Sequence, residues 1–263
     1  TDSRSLCFPE ETLFFALKTT RNDGHRYIQD LYRRGVRNFV VAVDAAPVWK
    51  RLDKDCNFLV VPSPLAALQR LAERHRDEFD IPIVGLTGSN GKTMVKEWLY
   101  QLLSPQFSVT RSPKSFNSQI GVPLSVWLLN EQTEIGLFEA GISQMGEMEA
   151  LRDIIQPTIG VLTSLGTAHQ ENFRSMEEKC MEKMRLFDDA KVIAYNSDDD
   201  TISRCIRRSG FKGEKIGWSR DNQSAPLYIS SITSDSSSTS VSYIYKGTRG
   251  QYTLPFFEEA SLI

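Results

Sequence analysis

The sequence has few of the residues that build disulfide frameworks or metal clusters. Its 263 residues include only four cysteines and three histidines. The cysteines are scattered and form no CxxC pair: Cys7, Cys56, Cys180 and Cys205. This spacing fits neither a disulfide framework nor a zinc ribbon, and so few histidines exclude a histidine-rich metal site. We therefore expect a protein of a reducing cytoplasm.

An excess of charge of one sign is also missing. Lys and Arg number 31 and Asp and Glu 33, for a net charge of -2, which argues against a broad surface for nucleic acid or acidic membranes. No apolar run approaches the roughly 18 residues of a membrane span, and the first residues do not have the basic-then-apolar pattern of a signal peptide. We expect no nucleic-acid partner and no membrane insertion. Because the first residue is Thr1 rather than Met, we expect the chain to begin inside a longer gene product.

What is present is the composition of a globular protein, with 40% hydrophobic and 24% charged residues. A chain of 263 residues predicts two domains. A break at Asp80-Ile81-Pro82 suggests a boundary between residues 1–80 and 81–263. Before the break, short apolar runs alternate with amphipathic segments, and after it strands and helices alternate regularly.

This alternation predicts an α/β fold with a doubly wound parallel sheet. The predicted strands are Thr12–Leu17, Asn38–Val43, Phe58–Val61, Ile83–Leu86, Ile135–Glu139, Ile159–Thr163 and Lys191–Tyr195. The predicted helices are His25–Arg34, Pro64–Phe79, Lys92–Leu103, Ile120–Leu129, Glu147–Ile155, Met176–Phe187 and Thr201–Arg208. His75, at the edge of an apolar stripe, is interpreted as a partly buried packing residue.

The pattern changes after about residue 218. Serines and threonines between residues 230 and 242 alternate with Ile, Val and Tyr, which favours solvated antiparallel strands with a turn at Asp235–Thr239 over a flexible linker. Ala260–Ile263 has the pattern of the start of a helix. The predicted architecture is a small N-terminal α/β domain, then a doubly wound α/β domain with a C-terminal antiparallel β extension.

The strongest motif is Gly85–Thr93 (GLTGSNGKT), between an apolar strand and an amphipathic helix. Its glycines let backbone N–H groups approach phosphate oxygens, and a helix N-terminus favours an anion. Lys92 is placed to reach the β and γ phosphates and Thr93 to bind Mg²⁺. The strict GxxxxGK[ST] pattern requires glycine at Leu86, so the match is TGxxGKT. A tight glycine turn before a helix is the alternative.

Two further residues are candidate functional residues because of their positions in the predicted strands and helices. Glu139 ends an apolar strand, at the edge where doubly wound sheets bind ligands, and a carboxylate there suits Mg²⁺. Lys183 falls on the apolar side of its helix, with Cys180 and Phe187. Burial there would lower the pKa of its ammonium group. A snorkelling lysine, whose stem covers the stripe, is the alternative.

TGxxGKT is the form of this loop in the Mur ligases, and the sequence resembles that family over nearly its whole length. The matching stretches agree in order and spacing: Thr87–Thr93, Asn117–Pro123, Phe138–Gly141, Ala168–Phe173, Glu182–Phe187 and Asn196–Asp199. Leu13–Leu17, Asp23–His25 and Asn117–Pro123 resemble the branch that adds D-alanyl-D-alanine to UDP-N-acetylmuramoyl-tripeptide. The sequence also resembles bacterial proteins in which such a region is fused ahead of an alanine racemase.

The resemblance implies an activity. ATP would phosphorylate the terminal carboxylate of the UDP-linked peptide, and the amine of D-alanyl-D-alanine would attack the acyl phosphate, which gives an amide, ADP and phosphate. The implied cofactors are ATP and Mg²⁺, and the implied substrates are UDP-N-acetylmuramoyl-peptide and D-alanyl-D-alanine. The family has a third, C-terminal domain without a counterpart here, so we expect this chain alone to be inactive.

The resemblance also implies a set of site residues. Those for the nucleotide are Thr87, Gly88, Ser89, Asn90, Gly91, Lys92, Thr93, Asn117, Asn196 and Asp199. Those for the metal are Thr93, Glu139, His169 and Lys183, the last as a carbamate. Lys92, Lys183 and His169 would be catalytic. Those facing the uridine nucleotide would be Ser3, Arg4, Asp23 and His25.

Three other functions are compatible with some of these motifs. One is a nucleotide-binding module without turnover that regulates a fused racemase. Another is a different ligase of the same fold, such as a folylpolyglutamate synthase, although the N-terminal matches argue against it. An unrelated P-loop kinase leaves the later motifs unexplained. The ligase is favoured by the joint presence of five residues: Lys92, Thr93, Glu139, His169 and Lys183.

Overall fold

The computed structural model describes residues 6–20, 22–45, 55–168 and 170–254. The chain divides into two compact units, Thr1–His75 and Arg76–Ile263. Ser3, Arg4, His169 and Ala260–Ile263 lie outside the described residues. No helix in the described ranges is long and apolar enough to cross a membrane.

The first unit contains a three-stranded parallel sheet. Its strands are β1 (Leu13–Phe15), β2 (Asn38–Ala42) and β3 (Asn57–Val61), in the order β1-β2-β3. Helix α1 (Ile28–Arg33) packs its apolar residues against this sheet. The core contains Phe14, Ile28, Leu31, Phe39 and Val41. Helix α2 (Pro64–Asp77) begins in this unit and ends just past its boundary.

The second unit is built on a nine-stranded sheet. Its strands are β4 (Ile83–Thr87), β5 (Val109–Arg111), β6 (Ile135–Glu139), β7 (Ile159–Leu162), β8 (Val192–Asn196), β9 (Glu214–Ser219), β10 (Leu227–Ser234), β11 (Thr239–Tyr245) and β12 (Thr248–Leu254). Their order is β12-β11-β10-β9-β8-β7-β4-β6-β5. Pairing is parallel from β5 to β10 and antiparallel from β10 to β12. The predicted doubly wound sheet with an antiparallel extension is thereby confirmed.

Helices connect the parallel strands. They are α3 (Lys92–Leu103), α4 (Gly121–Val126), α5 (Glu147–Ile155), α6 (Met176–Met184) and α7 (Asp200–Arg208). Strand β4 is buried along its whole length because β6 and β7 flank it. The chain passes from β4 to the edge strand β5 and then returns, so the strand order reverses beside β4. Open α/β sheets bind ligands at the carboxyl ends of the strands at such a point.

Several predicted elements differ in extent. The predicted helix Met176–Phe187 is an α-helix to Met184 followed by the 3-10 turn Arg185–Phe187. The predicted helix Ile120–Leu129 is reduced to α4. Strands β5 and β9 were not predicted, because the first has three residues and the second begins with two charged ones. His75 is half-buried, as expected.

Candidate functional site

The glycine-rich loop lies at the carboxyl end of β4, between that strand and α3. Gly88 has φ of +152° and Gly91, which precedes the first turn of α3, has φ of +80°. A Cβ atom on Gly88 would lie 1.9 Å from the Thr163 hydroxyl oxygen. Glycine is therefore required at Gly88 both by the backbone and by the neighbouring strand end.

The segment that follows β7 supports the loop. We call residues 163–168 the β7–α6 loop. The Ser89 amide donates to the Ser164 carbonyl at 2.7 Å, and the Ser89 hydroxyl donates to the Gly166 carbonyl at 3.1 Å. The Thr163 hydroxyl donates to the Asn90 carbonyl at 2.6 Å. These bonds hold the outer residues of the phosphate loop in place.

Two lysines converge on the Gly88 carbonyl. Lys92 Nζ lies 2.8 Å and Lys183 Nζ 3.2 Å from that oxygen. Burial lowers the pKa of Lys92, which Lys179 lowers further and Glu139 opposes. Lys183 is 2% exposed, and burial together with the charges of Lys92 and Lys179 lowers its pKa to about 7. The expected direction of the Lys183 pKa shift is therefore confirmed.

A buried acid faces the first turn of α3. Glu139 is 0% exposed, and its Oε2 accepts a hydrogen bond from the Thr93 hydroxyl at 3.0 Å. Its Oε1 lies 2.9 Å from Nζ of Lys96, which is also fully buried. Lys96 Nζ further donates to the Ser112 carbonyl at 2.8 Å and to the Lys114 carbonyl. The ion pair fixes the carboxylate so that one oxygen faces Thr93.

The chemistry of this oxygen pair fits Mg²⁺. Mg²⁺ commonly keeps several waters and takes only one or two carboxylates together with substrate phosphates. Thr93 Oγ1 and Glu139 Oε2 are hard oxygen ligands at the foot of the phosphate loop. No group of three or more His, Cys, Asp or Glu side chains suited to a metal occurs in the described part of the chain.

Asn117 lies beside the end of β6. Its carbonyl accepts a hydrogen bond from the Gly141 amide at 2.8 Å, and a Cβ on Gly141 would lie 3.1 Å from the Asn117 side chain. The fold therefore brings Asn117 to the strand that carries Glu139.

The two residues predicted near the adenosine make local bonds at the end of β8. Asp199 Oδ1 accepts from the amides of Thr201 and Ile202 and caps α7. Asn196 Oδ1 accepts from the Asp198 amide at 2.9 Å. Both side chains have the turn and cap contacts typical of their residue types.

Asp23 and His25 lie in the first unit. His25 is 3% exposed, with Nδ1 2.6 Å from Asp23 Oδ1, and Nε2 accepts from the Ala42 amide at 3.0 Å. Because the Ala42 amide can only donate, the proton of a neutral ring belongs on Nδ1. Both ring nitrogens are thus engaged, and His25 ties the 3-10 turn Gly24–Tyr27 to the end of β2.

Sequence reasoning missed two buried lysines of this site, Lys96 and Lys179. Lys179 is 1% exposed, and its Nζ donates to the Gly166 carbonyl at 2.6 Å. Lys96 lies beside the apolar residues of α3, and Lys179 lies one turn before Lys183 on α6. The helical-wheel argument applied to Lys183 could have drawn attention to both.

The loop joins the central strand of a parallel sheet to a helix, and it carries Lys92 and Thr93, whose hydroxyl pairs with the Glu139 carboxylate. These features define a P-loop nucleotide-binding protein of the α/β class. A family model described as the Mur ligase middle domain matches residues 86–261, which is more than half of the chain. The chain therefore belongs to the Mur ligase family, as the motifs indicated.

The curated relatives are longer than this chain. It is 32% identical over 209 residues to the UDP-N-acetylmuramoyl-tripeptide–D-alanyl-D-alanine ligase of Bacillus subtilis. This match covers 77% of the chain and 44% of that ligase. It is 36% identical over 169 residues to the ligase of the same name from Synechocystis, which covers 64% of the chain and 36% of the relative. The chain thus spans less than half the length of these relatives.

Solved structures show the same fold. A crystal structure of MurF from Acinetobacter baumannii superposes with a TM-score of 0.86 at 24% identity, over 100% of this chain and 56% of that one. MurF ligase from Thermotoga maritima, in complex with ADP, superposes with a TM-score of 0.81 at 24% identity, over 98% and 59% of the two chains.

Proposed function

We propose that the chain forms the nucleotide-binding part of an ATP-dependent ligase that joins D-alanyl-D-alanine to UDP-N-acetylmuramoyl-tripeptide. The observation that carries the proposal is a cluster of three lysines around the phosphate loop, Lys92, Lys179 and Lys183. Within the described residues, their Nζ atoms donate to backbone carbonyls and form no ion pair with a carboxylate. Burial and the charges of the neighbouring lysines lower the pKa of Lys92 and of Lys183, and a polyphosphate beside Lys92 would supply negative charge to this cluster.

The residues at the loop suit phosphoryl transfer. Backbone N–H groups of the loop would surround the phosphates, and Lys92 would neutralise charge on the β and γ groups. Mg²⁺ would be held by Thr93 and Glu139, and when bound it would supply further charge neutralisation. The γ-phosphoryl group passes to the substrate carboxylate, ADP leaves, and the amine displaces phosphate from the acyl phosphate to form the amide.

Other assignments extend the proposal and rest on the family resemblance. They are Lys183 as a carbamate and His169 as metal ligands, Asn117, Asn196 and Asp199 at the nucleotide, and a UDP-substrate role for the first unit with Ser3, Arg4, Asp23 and His25. We also propose a cytoplasmic location and a covalently fused alanine racemase domain.

The ligase assignment is tested with the complete gene product. ADP release should require both UDP-N-acetylmuramoyl-tripeptide and D-alanyl-D-alanine, and mass spectrometry should detect the pentapeptide product. A parallel arm of the assay supplies dihydrofolate and glutamate, the substrates that would be expected for a folylpolyglutamate synthase. Turnover in that arm alone would reassign the substrate, and nucleotide binding without turnover in either arm would favour the regulatory module.

Nucleotide binding by the chain itself is a separate prediction. Lys92→Ala removes a cation that faces the phosphates, and because hydrogen bonds to charged groups contribute about 1.5–3 kcal/mol, Mg-ADP affinity should fall about 10-fold or more. Calorimetric titration measures this. The exposed Lys212, replaced by Ala, is the control and should leave the affinity unchanged. Equal affinity in wild type and Lys92→Ala would contradict the phosphate-binding role.

A further inference from the structure

Lys179 is a buried lysine that neither the glycine motif nor the metal assignment uses. It lies on α6, one turn before Lys183, and is 1% exposed. Its Nζ donates to the Gly166 carbonyl at 2.6 Å and to the Ala168 carbonyl. Both acceptors belong to the β7–α6 loop, so the ammonium group fastens the outer end of that loop to the helix.

The Gly166 carbonyl is shared with the phosphate loop. It accepts the hydroxyl of Ser89 at 3.1 Å in addition to the ammonium of Lys179. Gly166 itself packs tightly, because a Cβ at this position would lie 3.0 Å from the Asn90 side-chain nitrogen. One carbonyl oxygen therefore joins α6, the β7–α6 loop and the phosphate loop.

A second carbonyl makes a similar connection. The Gly88 oxygen accepts from Lys92 of the phosphate loop and from Lys183 of α6. Lys179 and Lys183, four residues apart on one face of α6, thus hold two different points of the same loop system. Burying an ammonium group is unfavourable, and burial does lower the pKa of Lys179.

We propose that Lys179 is a positioning residue for the nucleotide: it holds the β7–α6 loop against Ser89 and thereby keeps the phosphate loop in its binding shape. This inference rests on the proposed nucleotide site. Lys179 acts through the Gly166 carbonyl on Ser89, whose amide donates to the Ser164 carbonyl. Its effect is therefore measurable without any ligand.

The experiment compares Lys179→Met with wild type in the full chain, because methionine has similar length but neither charge nor donor. Amide hydrogen exchange in the absence of nucleotide is the first readout. Exchange at the Ser89 amide should accelerate about 10-fold, since the loop that accepts its hydrogen bond loses an anchor. Mg-ADP affinity, measured by calorimetry, should fall by about the same factor. Lys212→Met is the control for loss of an exposed lysine.

Ser89→Ala tests the same link from the other side and remains informative if Lys179→Met does not fold. It should also accelerate exchange at the Asn90 amide, which donates to the Ser164 hydroxyl. The double variant should lose less affinity than the two single losses combined, because both side chains act through one oxygen.

Two outcomes would overturn the proposal. Wild-type exchange at Ser89 in Lys179→Met, even with weakened binding, would mean that Lys179 contributes only charge. Additive losses in the double variant would mean that the two contacts act independently. Nucleotide binding without ligase turnover would reject the ligase while leaving the role of Lys179 intact, and absence of nucleotide binding by wild type would reject both.

Discussion

Lys183 differs from an ordinary surface lysine because helix α6 turns it inward. Its pKa of about 7 leaves a substantial neutral fraction near neutral pH, and a neutral amine is the form that reacts with carbon dioxide. The Gly88 carbonyl, 3.2 Å away, places this amine at the phosphate loop. These features support the proposed carbamate, whose anionic oxygen would suit Mg²⁺.

The carbamate is tested by substitution in the full-length enzyme. Lys183→Ala should abolish most ligase activity while the fold persists, and added acetate or formate should restore part of it by occupying the vacated oxygen positions. Lys183→Arg should remain inactive, because a guanidinium stays charged and cannot be carbamylated. The measurement is ligase rate against acetate concentration, with circular dichroism as the folding control. Near-wild-type rates in Lys183→Arg would favour the snorkelling alternative.

The lowered pKa of Lys183 also predicts how stability depends on pH. The folded pKa of about 7 lies below the ordinary value of 10.5, so between these values the unfolded chain binds a proton that the folded chain lacks. The free energy of unfolding should therefore rise with pH across this window, by at most about 1.4 kcal/mol per pH unit. Lys183→Met should remove that contribution.

Urea denaturation at several pH values between 7 and 10, in buffers free of carbon dioxide, measures the two slopes. The wild-type slope should exceed that of Lys183→Met throughout the window. Equal slopes would show that Lys183 has the same proton affinity in the folded and unfolded states.

The burial of a single residue could be predicted where its apolar neighbours lie close to it in the sequence. The apolar neighbours of Lys183 lie on its own helix, so its burial was predictable. The acceptors of Lys96 and Lys179 lie on other segments, and the ion pair between Lys96 and Glu139 joins α3 to β6. No periodicity within a helix identifies such partners.

At the scale of elements, Asp199 has a defined role as the N-cap of α7. Replacing an N-cap by alanine costs about 1 kcal/mol, whereas asparagine caps equally well. We expect Asp199→Ala to lower the free energy of unfolding by about that amount and Asp199→Asn to leave it nearly unchanged. Chemical denaturation tests this. Reduced Mg-ADP affinity in both variants would support the proposed nucleotide contact of Asp199 in addition to its capping role, and unchanged stability in Asp199→Ala would contradict the capping role.

Whether a segment forms a helix or a strand was largely predictable from the sequence, but the first and last residues of some elements were not. Lys92–Leu103, Ile135–Glu139 and Glu147–Ile155 have the predicted bounds because glycine, proline or a strong apolar period marks their ends. β9 begins with Glu214 and Lys215 and becomes a strand through its pairing with β8. Tertiary pairing overrides weak local preference in such segments.

At the scale of the whole molecule, we predict that nucleotide binding raises the thermal stability of only one of the two units. A ligand present at 100 times its dissociation constant stabilises the folded state by about 2.7 kcal/mol. For a unit of this size, that corresponds to about 5–10 °C in Tm. Differential scanning calorimetry should show Mg-ADP raising the transition of the unit Arg76–Ile263 and leaving that of Thr1–His75 unchanged.

The phosphate-loop variant provides the control. Lys92→Ala should show a much smaller shift at the same nucleotide concentration. Equal shifts in both transitions, or a single transition that moves as one, would show that the units do not unfold separately.

Local sequence patterns were enough to predict the class of the protein, the alternation of strands and helices, and the phosphate loop. These depend on residues close together in the chain: the period of apolar side chains, and glycines next to Lys92 and Thr93. Three features became known only from the folded chain: the strand order around β4, the pairing of Glu139 with Lys96, and the contact of Lys179 with the loop beyond β7. Each of these joins different elements of the second unit, and their burial and hydrogen bonding depend on the assembled sheet.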